Sequence, residues 1–177
     1  MVGFARYLAF HNLVVDPDSL AGTGNNYYVL YVPRLSQMSF ASWDQNLAFG
    51  RLGFVGARYR PYYEDGSGIP AQFKNIPGLE ELIPGEGLGE PNLLVTRFLG
   101  SQKFRSLYDR TYRELFTDLL QSGRAGALLD RLATVIRTAN VDRHLVDAAK
   151  FDADLARNHA FLVNRIAFLE RVSPISK

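Results

Sequence analysis

Hydrophobic positions at the start of the chain recur with a helical period. Phe4, Leu8, His11 and Val15 fall on one face, with Tyr7 and Val14 beside it, and predict an amphipathic helix over residues 3–15. Asp16-Pro17-Asp18 ends it, because the residue before a proline is pushed out of the helical region. The turn formers Ser19-Leu20-Ala21-Gly22-Thr23-Gly24-Asn25-Asn26 predict a loop. Tyr27 to Val32 is aromatic and β-branched throughout and predicts a strand. Pro33 to Gln37 makes a turn, and Met38-Ser39-Phe40-Ala41-Ser42-Trp43 alternates as the returning strand of a hairpin that Asp44 closes.

The pattern dissolves after that. Residues 50–100 hold ten of the 15 glycines and five of the eight prolines, so regular structure is expected there only at Asn92–Leu99. The helical period then returns. Phe104, Tyr108, Tyr112, Leu115 and Leu119 mark one stripe; Leu128, Leu132, Val135 and Ile136 a second; Phe151, Leu155, Leu162, Ile166 and Leu169 a third, widened by Phe161 and Phe168. Gly123 and Asn140 punctuate the gaps. The expectation is an α+β fold, mostly helical. A β-hairpin packs on a C-terminal helical bundle, in one domain of residues 1–177 divided at about 50 and 100.

Composition narrows the chemistry. The chain has 177 residues, 47% of them hydrophobic, which suits one globular unit with a core of its own. It has no cysteine, which excludes a disulfide scaffold, a thiolate zinc site, an iron–sulfur cluster and a cysteine nucleophile. A net charge of +2 gives no electrostatic case for nucleic acid. No run of about 18 apolar residues marks a membrane span. The first residues are not expected to be a signal peptide, since Arg6, His11 and Asn12 interrupt them. A helix this close to the first residue suggests that more protein precedes it.

Three histidines without metal spacing leave no histidine zinc site, and His11 and His159 are expected to pack or face solvent. No P-loop and no G-x-S-x-G elbow occurs. What remains is a group of short polar side chains at the hairpin ends. An antiparallel hairpin sets the start of its first strand beside the end of its second, so Asn26 and Asp44 should lie close together. A carboxylate and a carboxamide converging there suit a hard cation such as magnesium, and Asp18 on the preceding loop can face the same spot. The competing account keeps Asp18 and Asn26 as turn residues and Asp44 as a strand terminator.

Two blocks carry a resemblance. Phe4-Ala5-Arg6-Tyr7-Leu8-Ala9, Asn12-Leu13, Asp18-Ser19 and Gly24-Asn25-Asn26-Tyr27-Tyr28 form the first; Trp43-Asp44-Gln45-Asn46-Leu47-Ala48-Phe49-Gly50 forms the second. Together they resemble the CotH (spore coat protein H) kinase family, and Arg165-Ile166-Ala167-Phe168-Leu169 resembles the final helix of its domains. The resemblance implies an atypical protein-kinase-like C-lobe that transfers phosphate from ATP to protein Ser/Thr hydroxyls. It implies Asp18 as the catalytic-loop aspartate, Asn26 and Asp44 as magnesium ligands, and Asn46 as a further ligand or the cap of a short helix after Asp44. It also implies a spore-coat or cell-surface setting in a bacterium.

No lysine lies in a strand before Asp18, so the chain is expected to be the C-terminal lobe without its upstream nucleotide-binding N-terminal lobe, and to be inactive without it. Arg58-Tyr59-Arg60-Pro61-Tyr62-Tyr63 is a candidate for acidic or phosphate groups, or simply an exposed loop. The rival functional reading is a non-catalytic coat or surface-assembly module that keeps the fold.

Overall fold

The computed structural model describes residues 1–22, 24–51, 56–58, 92–172 and 174–176. Within them the chain is mostly helical, with one two-stranded antiparallel sheet. Helix α1 (Val2–Leu13) runs through the centre. It was expected to bury a single face, but Phe4, Ala5, Tyr7, Leu8, Ala9, His11, Asn12 and Leu13 are all buried. A helix covered nearly all round is a core helix, and Ala5 and Ala9 let neighbours approach its backbone closely.

The hairpin lies on one side of α1. Strands β1 (Tyr27–Val32) and β2 (Gln37–Ser42) pair with Tyr27 opposite Ser42 and Val32 opposite Gln37. The turn between them is a short 3₁₀ segment, Pro33–Leu35, closed by Ser36 in the left-handed region. The sheet's seat is α1 rather than the C-terminal bundle: the Phe40 ring packs 4.7 Å from Phe4 and 5.8 Å from Tyr7, centroid to centroid. From that seat toward the turn Leu30, Tyr31 and Met38 stand exposed, so both faces of the hairpin tip carry open apolar side chains, while Tyr28, also exposed, lies near the mouth against Trp43.

Helices α2 (Leu93–Gly100), α3 (Gln102–Leu115), α4 (Arg124–Arg143) and α5 (Ala148–Leu169) follow. Asn92 caps α2 by accepting from the amides of Leu94 and Val95, and Asp147 caps α5 by accepting from that of Lys150. Helix α3 packs across α1 through Tyr108, Tyr112 and Leu115, and passes into a π-helical turn, Phe116–Gln121. Leu162 and Leu169 of α5 complete the same core. The α4 stripe fails as a core stripe: Leu128, Leu132, Val135 and Ile136 are exposed, and the buried contact is Ala133. Among the described residues no helix is long and apolar enough to cross a membrane.

Candidate functional site

The site begins where α1 stops. The amide of Asp16 reaches back to the His11 carbonyl at 2.9 Å and that of Val15 to the Asn12 carbonyl at 3.1 Å, with Val15 at φ 51°. This is a Schellman ending with a β-branched residue in the place glycine normally takes. It turns the chain sharply and aims Asp16-Pro17-Asp18 at the hairpin. Asp16 is buried and holds the loop that follows: its Oδ1 accepts from the Asp18 amide at 3.1 Å, and its carbonyl accepts from the Ser19 hydroxyl at 3.2 Å. The loop closes tightly at Gly22, where a Cβ would lie 1.8 Å from the Pro17 carbonyl oxygen.

At the hairpin mouth the Trp43 amide donates to the Asn26 carbonyl at 3.0 Å, one step beyond the last ladder pair. Asn26 has φ 47° and Asp44 φ 35°, a left-handed backbone that short polar side chains tolerate best. The Asn26 Nδ2 group donates to Asp18 Oδ2 at 2.6 Å and to the Asp44 carbonyl at 3.2 Å. Asp18 Oδ1 accepts from Asn25 Nδ2 at 3.0 Å. One carboxamide thus joins the loop aspartate to the end of β2. Asp44 is exposed, and its carboxylate has no hydrogen bond or ion pair among the described residues. Asn46 is exposed in a run of turns, so the expected short helix after Asp44 is absent and Asn46 caps nothing.

The family model for CotH kinase protein matches residues 2–168. The chain belongs to the CotH kinase family. No curated protein and no solved structure matches it significantly.

The geometry gives physical content to the second motif block of this CotH chain. Phe49, at φ 58°, donates its amide to the Val14 carbonyl at 2.8 Å, and its ring meets Phe161 of α5 edge-on at 5.2 Å. The segment leaving Asp44 is therefore pinned to the end of α1, so both aspartate-bearing segments share one anchor.

Sequence reasoning passed over three supports of the site. His11 packs, as expected, but it also bonds: Nδ1 lies 2.7 Å from Asp16 Oδ2 and Nε2 lies 2.6 Å from Ser42 Oγ, with His11 and Asp16 fully covered. The five-residue spacing of His11 and Asp16 across a helix stop was the available signal. Tyr7 is the second; its hydroxyl accepts from the Leu20 amide at 3.3 Å, and burial pushes its pKa up to about 12.

Arg165, fully buried, is the third. Its guanidinium donates to the carbonyls of Leu13 (3.1 Å), Asn12 (2.7 Å) and Ala57 (2.9 Å) and to Asn12 Oδ1 (3.2 Å). Tyr112 donates its hydroxyl to Asn12 Oδ1 at 2.8 Å, and burial raises its pKa to about 12 against the opposing pull of Arg165. A cation at the last carbonyls of α1 suits the negative end of the helix dipole. His159 lies, as expected, at the surface, 2.9 Å from Asp130. Of the arginine–tyrosine run, Arg58 is exposed and residues 59–63 lie outside the described residues.

Proposed function

We propose that this CotH family member transfers the γ-phosphoryl group of ATP to serine or threonine hydroxyls of a protein substrate, using magnesium. The observation that carries the reading is the Asn26 carboxamide, which bonds both the Asp18 carboxylate and the Asp44 carbonyl. Phosphoryl transfer needs placement and charge neutralisation more than covalent help from the protein, and such a bridge supplies placement.

In this reading Asp18 orients the acceptor hydroxyl and takes its proton. Amide donors on both carboxylate oxygens hold it in one orientation and leave further lone pairs for the hydroxyl. Asn26 spends its NH₂ group inside the protein, so its carbonyl oxygen is the atom offered to a cation. Asp44 offers an exposed carboxylate, and Asn46 a further amide oxygen. Among the described residues no cluster of three or more His, Asp or Glu gathers. The donor set fits magnesium, which is held by one or two carboxylates together with waters and substrate phosphates. When bound, the ion neutralises charge on the transferring phosphates.

The fold is read as a kinase-like C-terminal lobe. The exposed apolar hairpin tip supports docking of a lysine-bearing nucleotide lobe as the partner that completes the site. The same tip favours a second reading, a non-catalytic module for coat or surface assembly.

Substitution in the intact protein separates the two. Asp18→Asn and Asp44→Asn should each lower phosphoryl transfer about 100-fold or more. Stability should change by no more than about 1 kcal/mol, since neither substitution opens a cavity and Asn tolerates the Asp44 backbone. Undiminished transfer in the variants overturns the roles given to Asp18 and Asp44, and no transfer by the unaltered intact protein with ATP and magnesium favours the assembly module.

A further inference from the structure

The Ser42–His11–Asp16 arrangement is not needed for the phosphoryl-transfer reading, and it has the form of a nucleophile, a base and an orienting carboxylate. Ser42 Oγ lies 2.6 Å from His11 Nε2, and His11 Nδ1 lies 2.7 Å from Asp16 Oδ2. Such a set is recognised by geometry and roles rather than by order along the chain. Asp16 cannot swing away, because its other oxygen accepts from the Asp18 amide. The Tyr7 ring covers the imidazole at 4.2 Å, centroid to centroid, and Phe10 meets it edge-on at 5.5 Å. An aromatic face stabilises the imidazolium that forms when the base takes a proton.

Ser42 is only half-buried, and it opens onto a groove of about 520 Å³. Arg6, Phe10, Phe40, Leu119 and Arg124 are among the residues that line it. Arg124 is paired with Asp118 at 3.1 Å, whereas Arg6 is exposed with no hydrogen bond or ion pair among the described residues. The groove therefore presents one available guanidinium and an aligned hydroxyl in its lining, and that combination suits an electrophile whose oxygens gain negative charge during attack.

We propose that Ser42 is an activated nucleophile, driven by His11 and Asp16, that takes up a phosphorus electrophile from the Arg6 groove. In the step, the Ser42 Oγ–P bond forms as the bond from phosphorus to its leaving group breaks. The hydroxyl proton passes to His11 Nε2, and the leaving group departs as an anion. Asp16 stabilises the resulting imidazolium, and Arg6 faces the charge developing on the phosphoryl oxygens. The product is a phosphorylated or phosphonylated serine at the end of β2.

Diisopropyl fluorophosphate is the probe, because it needs neither a nucleotide site nor a metal. Fluoride is its leaving group. The full chain is treated with the probe, and the modified residues are found by peptide mass spectrometry. Ser42 should be modified at least 100-fold faster than Ser36 and Ser39, which sit on the same hairpin without a histidine partner. Arg6→Ala should lower the rate about tenfold or more. His11→Gln should lower it about 100-fold or more, and the comparison with Ser36 and Ser39 stands even where that variant does not fold. Modification of Ser42 no faster than that of Ser36 and Ser39 overturns the proposal. Failure of ATP-dependent transfer to a protein would leave it standing, because the probe supplies its own phosphorus.

Discussion

Replacing Arg165 by Met tests whether a buried cation holds the end of α1 and with it the loop to Asp18. Methionine keeps much of the length and fills the space, so the change isolates lost polar contacts from a lost volume. Among the described residues five acceptors lose the guanidinium: three carbonyls, Asn12 Oδ1 and, at 3.4 Å, the Tyr112 hydroxyl oxygen, which still donates to Asn12. Two keep another donor, since the Asn12 carbonyl still receives the Val15 amide and Asn12 Oδ1 still receives the Tyr112 hydroxyl. The carbonyls of Leu13 and Ala57 lose their guanidinium donor outright. A buried polar group left unsatisfied costs about 1–3 kcal/mol, a penalty that applies in full at Leu13 and in part at half-buried Ala57, so the two together cost about 2–4 kcal/mol. Relief from burying the charge offsets part of this, and a net loss of about 2 kcal/mol is expected. That is a large share of the roughly 5–15 kcal/mol that holds a domain together. Urea denaturation followed by far-ultraviolet circular dichroism reads it as a lower midpoint at constant slope. Arg165→Lys, which keeps the charge but not the fork, should fall between the two. A loss below about 1 kcal/mol for Arg165→Met refutes the capping role.

Gly22→Ala should destabilise by about 2 kcal/mol or more in thermal melts, because its Cβ would meet the Pro17 carbonyl oxygen at 1.8 Å and force the loop around Asp18 open; an unchanged melting temperature contradicts the loop closure. Tyr112→Phe should cost about 1 kcal/mol at neutral pH. In the unaltered protein Tyr112 keeps its proton to about pH 12, while an unfolded tyrosine releases it near 10, so stability falls as pH rises between those values, by about 2–3 kcal/mol. Tyr112→Phe should flatten that fall, with Tyr7 supplying what remains, and an equally steep fall in the variant refutes the assignment. Residues 1–177 alone should show no micromolar Mg-ATP binding by calorimetry, since the two lysines among the described residues, Lys103 and Lys150, are exposed helix residues; a fitted affinity in the micromolar range, about −8 kcal/mol of free energy, would require a nucleotide pocket of its own.

The two strands were legible almost to the residue, because aromatic and β-branched residues bounded by Asn26, Pro33 and Asp44 leave few other readings. The pairing of Asn26 with the Asp44 segment was legible for the same reason: hairpin geometry fixes which ends meet. The surroundings of α1 were not, since periodicity reports which residues are apolar and not how many neighbours a helix has. The α4 stripe has the spacing of a core face, yet the helix turns it outward and seats the small Ala133 instead. Arg165 was invisible as a cap because its partners Asn12 and Leu13 lie more than 150 residues away. Local pattern carries no information at that separation, and the family resemblance marked Arg165 only as part of a helix.

Backbone strain points to the same place as the side chains. Among the described residues six non-glycine positions have positive φ, and four of them are Val15, Asn26, Asp44 and Phe49. Val15 turns the chain toward Asp18, Asn26 and Asp44 form the hairpin mouth, and Phe49 ties the exit of that mouth back to Val14. Left-handed backbone at a non-glycine residue costs on the order of 1 kcal/mol or more, and β-branched Val15 is the least suited of the four. Glycine would relieve each of them, yet the chain spends its described left-handed glycines at Gly24, Gly50 and Gly123 instead. At Val15 the side chain is fully buried, so glycine there would forfeit apolar contact. At Asn26 and Asp44 glycine would remove the amide that bridges the two segments and the exposed carboxylate beside it. The strain is therefore what remains when side chains needed for packing and for the site are kept where the path of the chain alone would favour glycine.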